Sequence, residues 1–227
     1  KVVMPFVSKL IKERKRQLGV DVLKPWDLSV DPLNRAPLTP FVNASELEDK
    51  CHNIFEAVDS DLGNHFNIMR KEKLLDLANR KGKAPGGYCT EYYHRRLPFI
   101  FMNAVGTHSD VQTMLHEGGH AFHVFESNKL PYASQRDVGM EFAEVASMAM
   151  ELLASPYLTK EHGGFYEIDQ AKRARIEHLE KIIMFWPYMA VVDAFQHWAY
   201  TNPEDAMNPI NCDAEWTKLW KRFQTFD

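Results

Sequence analysis

Ser109-Asp-Val-Gln-Thr-Met-Leu-His-Glu-Gly-Gly-His-Ala-Phe-His123 is the stretch from which the rest of this 227-residue chain is read. Ser109 with Gln112 has the form of a capping box, which predicts a helix opening there. His116 and His120 are four residues apart on that helix, so their imidazoles share one face and can converge on a single ion. Glu117 sits beside that face. It is too close in the chain for a comfortable third ligand, but well placed to act as general base on a metal-activated water. Gly118 and Gly119 each cost about 1 kcal/mol relative to alanine inside a helix. Such a penalty predicts that something passes close to the backbone there.

A catalytic zinc takes three protein ligands and leaves its fourth position open, so another donor is needed. His123 lies on nearly the same face as His116, but seven residues at a rise of ~1.5 Å separate the two by about 10 Å along the axis. A second helix must supply the ligand. The expected one covers about 138–153, where Phe142, Val145, Ala149 and Leu152 form an apolar stripe and Glu141, Glu144 and Glu151 occupy another side. On spacing alone Glu141 and Glu144 both remain open as the third ligand. Two imidazoles and one carboxylate favour zinc over cobalt or manganese.

Outward from this centre, helical periodicity over Val2 to Leu18 predicts a first helix capped by Gly19. Pro25, Pro32, Pro37 and Pro40 then make residues 21–41 an extended connector. Ser45-Glu-Leu-Glu48 has the form of a capping box, and the stripe Leu47, Cys51, Ile54, Phe55, Val58 predicts a helical region to about Asn79. Residues 81–87 read as a loop. Leu97-Pro-Phe-Ile-Phe-Met-Asn103 is the best strand candidate, and a long helical pattern over 168–200 should kink or split at Pro187. The expected fold class is mainly α, with a small β-sheet.

Composition narrows the function classes. With 27 Lys+Arg against 31 Asp+Glu the net charge is -4, which offers no broad basic field for a phosphate backbone, and nucleic acid is not expected as a partner. The run Lys12-Glu13-Arg14-Lys15-Arg16 reads as a solvated helix face. No apolar run approaches the ~18 residues of a membrane span. Cys51, Cys89 and Cys212 form no CxxC pair, which suits a reducing compartment. The start at Lys1 and the end at Phe223-Gln-Thr-Phe-Asp227 suggest a piece of a longer polypeptide, whose missing remainder is then a partner of this chain.

His116-Glu-Gly-Gly-His-Ala-Phe-His123 and Phe142-Ala-Glu-Val-Ala-Ser147 together resemble the two metal motifs of the thimet oligopeptidase and oligoendopeptidase F metallopeptidases, most closely the branch typified by the Pz-peptidases of bacilli. Leu18-Gly-Val-Asp-Val-Leu-Lys-Pro-Trp-Asp27, Lys83-Ala-Pro-Gly-Gly-Tyr-Cys-Thr90 and Phe99-Ile-Phe-Met-Asn103 with Gly106-Thr107 look like other family segments, so the resemblance covers nearly the whole chain. It selects Glu144 as the third ligand, places Glu151 as an acidic support behind the ligands, and implies one Zn2+ per chain. The implied fold is the zincin-type catalytic part of a helical bowl. Residues 1–227 would form one catalytic-region fragment: a helical upstream part (1–80), a strand plus zinc-binding helices (81–160), and a helical downstream part (161–227).

The resemblance implies hydrolysis of internal bonds of short peptides in the cytoplasm. The peptide backbone would add to an edge strand formed by Phe99 to Asn103, with Gly86, Gly87, Tyr88, Phe101, Asn103 and Gly106 at the substrate. One family feature is not found, a later His and Tyr motif that supports the tetrahedral intermediate. His197 and Tyr200 stand in surroundings that match an earlier family helix and read as structural. The alternative is therefore a zinc-holding, peptide-binding fragment without turnover, since lost oxyanion donors cost ~10²-fold or more in rate.

Overall fold

Hydrogen-bonded structure begins where the caps allow it. The computed structural model describes residues 2–223; the C-terminal residues 224–227, on which part of the fragment reading rests, lie outside that range. In chain order the elements are α1 (Met4–Leu18), α2 (Ala44–Val58), α3 (Ser60–Lys71), β1 (Leu75–Ala78), β2 (Tyr88–Tyr92), β3 (Leu97–Ala104), α4 (His108–Ser127), α5 (Val145–Ala154), α6 (Ile168–Thr201), α7 (Pro203–Ala206) and α8 (Pro209–Phe223). The fold is mainly α with a small sheet, as the periodicity predicts. Two compact units divide the chain, residues 37–174 on one side and residues 1–36 with 175–227 on the other.

The 37–174 unit has a core built from both helices and sheet, including Leu47, Ile54, Phe55, Phe66, Ile100, Met102, Met114, Leu115 and Phe122. Phe55 sits at its centre, edge-on to Phe66 and to Phe122 at centroid separations of 5.1 and 4.8 Å. The sheet has the order β1-β3-β2, with β1 parallel and β2 antiparallel to β3. This corrects two expectations. Residues 74–79 are not helical: Lys73 takes a left-handed conformation (φ 56°) that ends the helical run, and pairing with β3 overrides the helix-forming Leu and Ala of 74–78. In addition β3 is the central strand, paired with β1 on one side and β2 on the other, so Phe99 to Asn103 is not the sheet edge expected; the edges are β1 and β2.

Both proposed caps move. The α2 cap is Asn43, whose side chain accepts from the Glu46 N–H while Glu46 accepts from Val42, and Ser45 already lies inside the helix. The α4 cap is Thr107, paired reciprocally with Asp110, two residues ahead of the form read at Ser109. The second metal helix is shorter than expected. A 3-10 turn covers Met140–Phe142, and α5 begins only at Val145. Its buried face is Ser147, Met150 and Ala154, whereas Phe142, Val145 and Leu152 are exposed. The reason is the close approach of α4 described below, which admits only the small side of α5.

In the other unit α1 ends as expected, with Gly19 left-handed (φ 68°) and its N–H on the Lys15 carbonyl. Val7, Ile11 and Leu23 form a core joined by Ile183 and Met184 of α6. Arg14 departs from the solvated-face reading, because its guanidinium donates to the carbonyls of Asp27, Leu28 and Val30 and so ties the connector to α1. Pro187 does not split α6; its ring is buried, and packing of the ring offsets the one backbone hydrogen bond the proline removes.

The helices α4 and α5 meet backbone to backbone at Gly119, where a Cβ would stand 2.5 Å from the Ala146 carbonyl oxygen and 2.6 Å from the Ser147 Cα. Gly118 meets the Phe55 ring at 2.6 Å in the same sense. Gly119→Ala is expected to destabilise the unit by about 1–3 kcal/mol through overpacking, seen in calorimetry as a midpoint lowered by several degrees. An unchanged midpoint would mean that α5 yields freely at this contact.

Candidate metal centre

The helix α4 carries His116 and His120 on one face, their rings edge to face at 4.9 Å. Because the glycine contact brings the start of α5 against this face, Glu144 arrives beside them. One ligand-capable atom from each of His116, His120 and Glu144 lies within 4.8 Å of the others. Glu144 Oε2 stands 3.0 Å from His116 Nε2 and 3.4 Å from His120 Nε2. Bonds of ~2.0–2.1 Å in a tetrahedral zinc shell put its donor atoms about 3.3 Å apart, so the two separations fit such an ion.

Two of the three donors, His116 and Glu144, are held by a neighbour. His116 Nδ1 is 2.7 Å from Glu151 Oε1, a contact that fixes the proton on Nδ1 and turns the Nε2 lone pair toward Glu144. Glu144 is the residue before α5, with backbone angles (φ -95°, ψ 1°) outside the helix, and its carboxylate accepts from Ser147 Oγ at 2.8 Å. Glu141, the other carboxylate the spacing allowed, lies on the preceding 3-10 turn and outside the cluster.

Electrostatics separate the roles further. The hydrogen bond that His116 donates to Glu151 raises the His116 pKa above its ordinary value, against burial that lowers it. Burial lowers that of His120, opposed by the Glu144 charge. Glu117 is buried, and that burial, reinforced by Glu144, pushes its carboxyl above the usual range although His116 pulls it down. A carboxyl raised in this way is better suited to taking up and returning a proton than an unperturbed one.

The cluster opens into a cleft of about 500 Å³ bounded on the far side by β2. Among the residues expected at the substrate, Gly87 and Tyr88 line it; Gly86, Phe101, Asn103 and Gly106 do not. Phe101 lies beneath Tyr88, stacked at 5.0 Å, and Asn103 donates to the carbonyls of Ala84 and Gly86, so both hold the glycine-rich loop from behind. Gly106 makes a left-handed turn (φ 95°) ahead of α4. Cys89, Thr90, Glu91, His123, Val124, Val138 and Ala143 complete the lining. The alternating Tyr-Cys-Thr-Glu-Tyr of β2 was the available signal for most of this missed wall. His197 and Tyr200 lie on α6 and are exposed.

The sequence pattern described as peptidase family M3 matches residues 1–227. An oligoendopeptidase F homologue of Borreliella burgdorferi is 26% identical over 182 residues, covering 78% of this chain and 30% of its own length. The oligopeptidase PepF of Bacillus subtilis is 26% identical over 159 residues, 68% of this chain and 23% of its own length. Among solved structures, Pz-peptidase A with an inhibitor superposes with a TM-score of 0.84 at 32% identity, over 97% of this chain and 38% of that one. The chain thus spans less than a third of the length of these two curated relatives.

In metal-free protein the raised His116 pKa contributes stability that is complete below the unfolded value and lost as pH rises through the folded one. Glu151→Gln is expected to bring the His116 titration down and to flatten this part of the stability profile, measured by NMR of the imidazole and by denaturation across pH. An unmoved His116 titration would contradict the role given to Glu151.

Proposed function

We propose, from the premise that this chain belongs to peptidase family M3, that it carries the catalytic centre of a zinc-dependent oligopeptidase cleaving internal bonds of short peptides. The observation that carries the reading is the convergence of His116, His120 and Glu144 from two helices, with the Glu117 carboxyl in the same cleft. In this reading His116, His120 and Glu144 hold one Zn2+, whose Lewis acidity polarises a carbonyl and makes water acidic near neutral pH. Glu117 takes the proton of the attacking water and returns it to the leaving amine nitrogen, a double duty that its raised pKa favours. Glu151 and Ser147 orient the ligands. The exposed edge of β2 offers main-chain groups to an extended peptide, so recognition rests on backbone more than on side chains. The whole of residues 1–227 is read as one catalytic region of a longer polypeptide. Its three cysteines are free thiols, which suits a reducing compartment such as the cytoplasm; among the described residues no helix is long and apolar enough to cross a membrane.

The test is elemental analysis together with cleavage of a quenched fluorescent peptide. One zinc per chain is expected with and without Glu117→Gln, and turnover lost by at least ~10²-fold in the variant. His116→Ala is expected to lose the zinc. Zinc in both proteins with turnover in neither would favour a peptide-holding fragment that needs residues beyond this chain, and absence of zinc after supplementation would overturn the site.

A further inference from the structure

The wall of the cleft opposite α4 carries a charge that the chemistry above does not use. Glu91 lies two residues beyond Cys89 on β2, on the same face of the strand, and lines the cleft. The Cys89 N–H faces the Glu117 carboxyl and lowers its pKa, so Glu91 stands one side-chain repeat, about 6.8 Å, along the edge from the reacting centre. Its carboxylate is half-buried and accepts from Asn128 Nδ2 at 3.0 Å, a neutral donor that orients it without cancelling its charge. Among the described residues no lysine or arginine forms an ion pair with it. Glu144, by contrast, is taken up by the metal cluster. A cation that enters beside a carboxylate without a counter-charge gains an attraction that a neutral side chain of the same length does not.

We infer that Glu91 is a specificity-determining residue that selects peptides carrying a basic side chain, one strand repeat from the scissile bond. The inference rests on the peptidase reading. A peptide extended along β2 presents alternate side chains to one face, so a single position of the substrate meets Glu91.

The test is fluorescence anisotropy with the full zinc-loaded chain at pH 8, where unperturbed imidazoles are neutral. The probes are labelled peptides in which lysine, norleucine or glutamate is scanned along an otherwise uncharged sequence, each free and N-acetylated. Lysine at one position is expected to bind about 5- to 10-fold tighter than norleucine, less so at high salt. The ratio should fall to near one in Glu91→Gln, whose amide oxygen still accepts from Asn128, and favour glutamate over lysine in Glu91→Lys. Unchanged zinc content in both variants shows that the centre is intact. Equal affinities in the unsubstituted chain, or a lysine preference that survives Glu91→Gln, would overturn the inference. A preference that follows N-acetylation instead would assign Glu91 to the peptide amino terminus and overturn it as stated. Failure to bind any peptide would overturn the peptidase reading itself.

Discussion

The backbone-to-backbone approach of α4 and α5 at Gly119 is the constraint on which the centre depends. A helix that lacks a side chain at this point lets the Ala146 carbonyl and the Ser147 Cα enter a space that any Cβ would fill. That contact sets the depth of α5, and the depth sets where its preceding residue, Glu144, can reach. Since Glu144 stands just outside the helix, its side chain is aimed by Ser147 Oγ and not by helical geometry. The two helical glycines, each unfavourable in isolation, are therefore the condition for a three-donor cluster drawn from two segments.

Electrostatics explain why these side chains are held in single roles. Glu117, Glu144 and Glu151 crowd around two imidazoles, and the Glu144 charge adds to burial in raising the Glu117 pKa. Hydrogen bonds resolve the crowding: Glu151 binds His116 Nδ1 and Ser147 binds Glu144, which leaves Glu117 as the buried carboxyl with a raised pKa. A divalent cation at the Nε2 atoms would meet donors already oriented, at little cost in side-chain entropy.

Much of the centre was legible in the chain because helical spacing is a strong local signal. His116 and His120 on one face, glycines marking a close approach, and a second acidic helix all follow from it. The location of Glu144 ahead of its helix did not, since the apolar spacing of Phe142, Val145 and Leu152 mimics a buried stripe that the structure exposes. The sheet was harder still. Leu75 to Ala78 has helical propensity and becomes a strand only by pairing with β3, a contact between distant residues that no local pattern encodes. Pairing of β2 along the other side of β3 moves the cleft-facing edge from β3 to β2, and with it the wall of the cleft.

X-ray absorption at the zinc K-edge tests the central claim most directly. The account predicts a shell of nitrogen and oxygen donors with the multiple-scattering signature of two imidazoles, and a changed oxygen contribution in Glu144→Gln but not in Glu141→Gln. A sulfur neighbour, for which Cys89 is the available thiol in the cleft, or a spectrum unmoved by Glu144→Gln, would contradict it.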